Sequence, residues 1–310
     1  MASAPGKVIL FGEHFVVYGV KAILCAINKR ITITAEDIPE NKISIESNLG
    51  NFEGETKKPI NEVSNEFRPF YYLANKMIEE NNLNSGIKIL VQSEIPHGVG
   101  LGSSSACCVA AAAAISKIFS QKTKEEILQL AIEAEKTIFP NTSGADCTVS
   151  TFGGLIQYDK KTGHSKIQSE PNFHLVIANS KIEHSTKEVV SAVRQFKENN
   201  EEEFSKFCFE EEKLVEDFLD CIKNNDWKGI GNDIKKNQKY LETIGISNEK
   251  LQKMIDVANN SSFGAKITGA GGGGCIFALT DETNMQATLD DLKDYDCFAV
   301  KIDYRGLDTF

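Results

Sequence analysis

The sequence lacks any excess of positive charge: 44 acidic against 34 basic residues leave a net charge of −10. That balance works against binding a polyanionic duplex or an anionic membrane surface, so neither nucleic acid nor membrane is an expected partner. A phosphate-bearing ligand has to be held by local devices. Long hydrophobic runs are lacking too, since the longest, Ala106 to Ile115, falls far short of the ~20 residues a bilayer requires. No basic start followed by an apolar stretch marks a leader. The eight cysteines, at positions 25, 107, 108, 147, 208, 221, 275 and 297, show neither metal-ligand spacing nor a disulfide framework. Most sit in apolar stretches such as Ile23-Leu24-Cys25-Ala26, and they read as reduced core residues of a cytoplasmic protein. Internal repeats and long disordered tracts are absent as well.

What is present is an ordinary globular composition, 41% hydrophobic and 25% charged over 310 residues, enough for a substantial core in one or two lobes. Period-2 runs predict strands over Val8 to Val17, Ala22 to Ala35, Lys42 to Glu46 and Ile87 to Val91. Helical patterns cover Glu66 to Glu80, Ser104 to Phe119, Lys124 to Phe139 (stopped by Pro140) and Gly144 to Ser150, before a strand at Leu155 to Tyr158. The polar stretch Asp159 to Asn172 lacks periodicity and marks a boundary, giving domains 1–165 and 166–310. After a strand at His174 to Ala178, the second part is strongly helical: Lys187 to Asn199, Glu202 to Lys223, Trp227 to Thr243 and Asn248 to Asn259. Strands at Ala265 to Thr268, Cys275 to Leu279 and Phe298 to Ile302 close it. The helical half leaves room for a homodimer. The acidic runs Glu201 to Glu203 and Glu210 to Glu212 read as a solvated helix face.

Three glycine segments stand out. In Pro96-His97-Gly98-Val99-Gly100-Leu101-Gly102-Ser103-Ser104-Ser105-Ala106, between a strand and a long helix, the glycines free the backbone for positive φ, and the helix start offers unpaired N–H groups and the positive dipole end. This is an anion cradle, or else a glycine turn capped by Ser103 or Ser104. It is neither a Walker A loop, having no Gly-Lys-Ser/Thr, nor a dinucleotide fingerprint, because its third glycine comes one residue early. Near the start, Lys7, Glu13 and His14 interrupt the apolar run Val8 to Val17 or border it, and charged groups there are costly unless paired or used. Near the end, Gly269-Ala270-Gly271-Gly272-Gly273-Gly274 joins two β-rich runs, more small residues than a hairpin turn needs.

Two carboxylates complete the set. Glu135 lies on the half-buried side of its helix, near the negative dipole end, where it calls for a cation: Mg²⁺, or its neighbour Lys136. In Asn141-Thr142-Ser143-Gly144-Ala145-Asp146, the Ser143 to Asp146 spacing also fits a capping box. Phosphoryl transfer needs a phosphate cradle, a divalent metal, a cation near the transferred group and a carboxylate for the acceptor hydroxyl, and one candidate exists for each.

These segments, in this order, resemble the three signature motifs of the galactokinase, homoserine kinase, mevalonate kinase and phosphomevalonate kinase superfamily. The string Pro5 to His14 with Val16-Val17-Tyr18-Gly19 is similar to the mevalonate kinases within it, and Asn141 to Asp146, Val149 to Gly154, Asn179-Ser180-Lys181 and Ser185-Thr186-Lys187 extend the similarity to both halves. The resemblance implies an α+β, two-lobe fold, with an N-terminal domain like ribosomal protein S5, a ferredoxin-like C-terminal domain, and the site in the cleft. It implies transfer of the ATP γ-phosphoryl group to the C5 hydroxyl of (R)-mevalonate. Asp146 is then the general base with Lys7 stabilising developing charge; Ser104 and Glu135 ligate Mg²⁺; Pro96, His97, Gly98, Val99, Gly100, Leu101, Gly102, Ser103, Ser104, Ser105 and Ala106 wrap the triphosphate of ATP. Lys7, Glu13, His14, Asp146 and Gly271 face mevalonate.

The chain departs from the pattern in two places. Its three serines leave Ser103 and Ser105 as alternatives to Ser104 on the metal, and His184 stands where several relatives carry an arginine, at the substrate carboxylate. Other kinases of the superfamily, among them phosphomevalonate kinase and a mevalonate 3-kinase, are alternatives, as is a non-catalytic ligand sensor on the same fold.

Overall fold

The computed structural model describes all residues except His97 and His184. The chain runs β1 (Ala2–Phe11), β2 (Ala22–Ile38), β3 (Lys42–Ser47), β4 (Gly50–Glu55), α1 (Arg68–Glu80), β5 (Gly86–Ser93), α2 (Ser103–Phe119), α3 (Lys124–Lys136), α4 (Ala145–Phe152), β6 (Leu155–Asp159) and β7 (Gly163–Lys166). It continues through β8 (His174–Asn179), α5 (Thr186–Asn199), α6 (Glu201–Asn224), α7 (Trp227–Ile244), α8 (Glu249–Ala258), β9 (Gly264–Ile267), β10 (Cys275–Thr280), α9 (Met285–Asp291), β11 (Asp296–Lys301) and β12 (Asp308–Thr309).

Two sheets organise these elements. The first has the order β12-β1-β2-β5-β3-β4, with β6 and β7 attached through β2. Strand β2 is 17 residues long, and that length lets one edge hold β1 at Ile23 to Ile33 while the other holds β6 at Ala22 to Cys25 and β5 at Ile31 to Ile38. The second sheet, β11-β8-β10-β9, is antiparallel throughout, and α7 and α8 pack against β9.

Helix α2 lies against β1 and β2 and between α3 and α4. Its run of alanines from Ala110 to Ala114 is buried on every side, and small side chains are what allow so many neighbours to approach one helix. Helix α3 opens with a complete capping box between Thr123 and Glu126 and ends at Lys136, three residues before the expected stop. The chain turns there because the Ile138 and Phe139 N–H groups both fold back onto the Glu135 carbonyl.

The first strand differs from expectation: it begins at Ala2 and ends at Phe11, where the sequence pattern suggests Val8 to Val17. Gly12 (φ 91°) and His14 (φ 64°) turn the backbone out of the sheet, a geometry that a continuing strand cannot contain. The apolar Phe15-Val16-Val17 that follows is a single 3₁₀ turn, and Phe15 packs on Phe204 of the second half. The aperiodic stretch after Asp159 holds β7, hairpin partner of β6. The final residues return to the first sheet: Ile302 bridges Ile27, Asp303 N–H donates to the Ala26 carbonyl over 3.0 Å, and β12 pairs with β1. The buried Asp303 carboxylate receives the Arg30 guanidinium and so fastens this return.

Candidate active site

The three glycine segments meet around the end of β1. Lys7 N–H donates to the Leu101 carbonyl over 2.9 Å, and a β-carbon at Gly6 would lie 2.8 Å from that same oxygen, so the strand and the first glycine loop approach as closely as backbones can. The third segment lies against the same place. Thr268 Oγ1 accepts from Ile9 N–H at 3.2 Å, a β-carbon at Gly269 would sit 3.5 Å from the Gly100 carbonyl, and the His14 imidazole Nε2 donates to the Ala270 carbonyl at 2.7 Å. Burial pushes the His14 imidazole below its ordinary value, so its neutral form suits this contact.

In the first loop Gly98, Gly100 and Gly102 all take positive φ, 73°, 84° and 74°, and Gly102 is the left-handed N-cap of α2. Among the described residues no side chain caps that helix, which leaves its first N–H groups open toward the space above the loop. Pro96, Ser103 and Ser104 are partly exposed there and Gly98 is exposed, whereas Val99, Leu101, Ser105 and Ala106 are buried and anchor the loop. His97 lies outside the described residues.

Lys7 crosses Gly102 and ends with its Nζ 3.1 Å from Asp146 Oδ2. The lysine side chain is 4% exposed and the aspartate 34%, so the pair is rooted in the core while its carboxylate stays open to a reactant. Asp146 stands in the first turn of α4, after the left-handed Gly144. No capping box forms there; Ser143 Oγ accepts only from Ala145 N–H, at 3.3 Å.

Glu135 comes from α3 into the gap between α2 and α4. Its two oxygens accept from the Ser105 and Thr142 hydroxyls. Burial raises its carboxyl above the ordinary range, with Asp146 adding to the effect, and among the described residues no lysine or arginine pairs with it. Lys136 is exposed and makes no such pair. A buried carboxylate ringed by hydroxyls and lacking a cation fits Mg²⁺, which commonly takes one or two carboxylates and completes its shell with substrate phosphates and water. The serine placed on Glu135 is Ser105, with Ser104 beside it and partly exposed.

Glu13 has a different setting. Its side chain is buried against the ammonium of Lys266, which also donates to the Leu10 carbonyl at 3.3 Å. Gly271 (φ 79°) faces Ile246, whose carbonyl accepts from Gly272 N–H at 2.7 Å and pins the third loop. His184, which stands where several relatives carry an arginine, lies outside the described residues.

Sequence reasoning misses Thr142, Thr268, Lys266 and Glu211. The last two carried a signal: Lys266 interrupts the apolar strand Ala265-Lys266-Ile267, and Glu211, expected on a solvated face with Glu210 and Glu212, is instead buried because it falls on the stripe Phe207, Leu214 and Phe218 that α6 buries. A charge on the apolar face of an element costs too much to lack a partner.

Comparison with known proteins agrees with this geometry. The family model described as "GHMP kinases N terminal domain" matches residues 69–154, and "GHMP kinases C terminal" matches residues 218–296. The mevalonate kinase of Pyrococcus furiosus is 38% identical over 304 residues, covering 90% of this chain and 88% of that protein. That of Methanocaldococcus jannaschii is 33% identical over 308 residues, covering 94% and 95%. The crystal structure of the Methanococcus jannaschii mevalonate kinase superposes with a TM-score of 0.87 at 29% identity, over 98% of each chain. With its three glycine segments converging on one lysine–aspartate pair, the chain belongs to the GHMP kinase family, among the mevalonate kinases.

Proposed function

We propose that this kinase transfers the γ-phosphoryl group of ATP to the C5 hydroxyl of (R)-mevalonate, with Asp146 as general base and Lys7 beside the transferred group. The observation that carries the reading is the Lys7–Asp146 pair, 3.1 Å apart and set next to an uncapped helix start. A carboxylate held there can take the acceptor proton as its oxygen attacks, while the ammonium offsets charge gathering on the phosphoryl oxygens.

Residues 1–165, to whose sheet the last residues return, serve as the ATP-binding part, with Pro96 to Ala106 around the triphosphate, and the remainder of residues 166–310 closes the acceptor side. His14 and Gly271 form its wall, and Glu13 holds that wall through Lys266. Glu135 would hold Mg²⁺ together with Ser104 or the adjacent Ser105. When bound, the metal neutralises phosphate charge and orients the triphosphate. Ser105 and Thr142 keep the Glu135 carboxylate turned toward that space.

The test is ADP release with (R)-mevalonate, Mg²⁺ and ATP for the native protein and Asp146→Asn, with the product identified by phosphorus NMR. Mevalonate 5-phosphate is the expected product, and the variant should lose about 10²–10⁴-fold in kcat while its melting temperature holds. A native enzyme that binds ATP but leaves mevalonate untouched sinks the acceptor assignment.

A further inference from the structure

Beneath the Gly12-Glu13-His14 turn, three ionisable side chains are shut away from water together. Glu13 is 3% exposed, Lys266 0% and Glu211 0%. Lys266, from β9, gives its ammonium to Glu13 Oε1, and the ring of Phe277 lies 5.6 Å from its Nζ. Glu211, from α6, receives two neutral donors: the Gly12 N–H on Oε1 at 2.7 Å and the Asn237 side-chain amide, from α7, on Oε2. The backbone of the acceptor-facing turn is thus hydrogen-bonded to a carboxyl group that belongs to a helix of the other half of the chain.

The charge count decides the state of that carboxyl. Two carboxylates and one ammonium in a dry site would leave one negative charge uncompensated, and desolvation makes such a charge expensive. Glu13 has the ammonium; Glu211 has only an N–H and an amide. Glu211 is therefore the group that stays neutral. We propose that Glu211 is a positioning residue, holding Gly12-Glu13-His14 in place from the second half of the chain, and that its hold is complete only while its carboxyl carries a proton.

Burial, reinforced by the charge of Glu13, lifts Glu211 to about 8. The ionisable groups facing it are Glu13 from the turn after β1, Lys266 from β9 and Tyr240 from α7, with Cys208 one turn back on α6. The Gly12 and Asn237 donors favour the ionised carboxyl, but burial and the charge of Glu13 outweigh them. Loss of the proton puts a second negative charge beside Glu13, where the repulsion and the competition for Lys266 push the turn from its place. The linkage sign follows: a carboxyl whose folded value lies above its ordinary 4.5 stabilises fully below 4.5, and that stabilisation is lost as pH rises toward about 8.

The proposal rests on the reading that this turn faces the acceptor, and its test separates the two. Native protein, Glu211→Gln and Glu211→Ala are compared between about pH 6 and about pH 9.5 for mevalonate binding by calorimetry, for KM and kcat, for melting temperature and for exchange of the Gly12 amide. Glutamine is the neutral shape-match, so it should keep the acceptor KM within about twofold at neutral pH, whereas alanine raises it about fivefold or more with a smaller change in kcat. Native KM should climb above about pH 8 and that of Glu211→Gln stay flat. The melting temperature of native protein relative to Glu211→Gln should fall as pH rises across the same interval. Glu211→Gln behaving like alanine, or native protein and Glu211→Gln sharing one alkaline limb, overturns the proposal, and the second comparison does not need the alanine variant to fold. Absence of mevalonate binding to native protein overturns the acceptor reading alone, and Gly12 exchange with the melting difference then decides the role of Glu211.

Discussion

Lys7 reaches Asp146 only by crossing Gly102: a β-carbon there would lie 2.6 Å from Lys7 Cγ and 3.1 Å from Cε, while the Lys7 Nζ rests 3.1 Å from Asp146 Oδ2. The loop that cradles phosphate and the cation that meets the transferred group are therefore one packed unit. A glycine needed for its backbone angle also clears the path of the lysine beside it.

Gly102→Ala should therefore cost more in activity than Gly98→Ala. Both positions have positive φ, 74° and 73°, so each pays ~1–2 kcal/mol for an alanine in that region. At Gly98 no non-neighbouring atom of the described residues lies within 4 Å of the added carbon, whereas at Gly102 the carbon displaces Lys7. Equal backbone cost with a drop in kcat of about tenfold or more confined to Gly102→Ala is the expected result, read from paired melting curves and ADP-release rates.

Glu135→Gln should separate stability from activity. Burial raises the native carboxyl above 4.5, so the stability it contributes is complete below 4.5 and is lost as pH rises through its folded value. Glutamine removes that loss, and the variant should melt no lower than native protein at neutral pH. Its Mg²⁺ requirement should nevertheless increase about tenfold or more, as measured by titrating the metal at fixed ATP. A variant that melts lower and keeps its metal dependence would count against the assignment.

His14 has the opposite sign. Its folded value is depressed below 6.5, so its contribution is present above 6.5 and lost as pH falls through the folded value. Native protein should lose melting temperature below about pH 6.5 more steeply than His14→Gln. At neutral pH His14→Gln should cost about 1 kcal/mol through the weakened contact to the Ala270 carbonyl. Parallel melting curves across that range would show that the imidazole does not titrate in this contact.

Asp303→Ala should destabilise by about 3–5 kcal/mol, because the Arg30 guanidinium, on a side chain 12% exposed, loses its only carboxylate among the described residues. The double variant Arg30→Met with Asp303→Leu should recover much of that loss, since it leaves no buried charge unpaired. Urea denaturation of the single and double variants measures both.

Much of the site could be read along the chain. The positive-φ glycines at 98, 100 and 102, Glu135 and Lys7 were each visible as a residue type misplaced for its local pattern: glycine at a helix start, or charge on an apolar face or run. Asp146 fitted a capping box locally and stood out only as the carboxylate that the other parts of a phosphoryl-transfer site call for. Helix and strand periods located most elements because the stripe each one buries repeats within that element. The short pieces β4, β7, β12 and α9 did not show, since two to seven residues hold too little of a period and their pairing is decided by a distant neighbour.

The sequence by itself determined the chemistry present: which residues could cradle phosphate, bear a metal, or move a proton. Tertiary structure alone decided the pairings. It set Lys7 on Asp146 across 139 positions of chain, which the sequence numbers themselves give, gave Glu135 the hydroxyls of Ser105 and Thr142, and turned Glu13 inward onto Lys266. It also brought Glu211 from α6 to the Gly12 amide. The reason is physical. Local propensity and burial pattern act over a few residues, whereas the partner of a buried charge is whichever group the packed sheets and helices bring within about 3 Å.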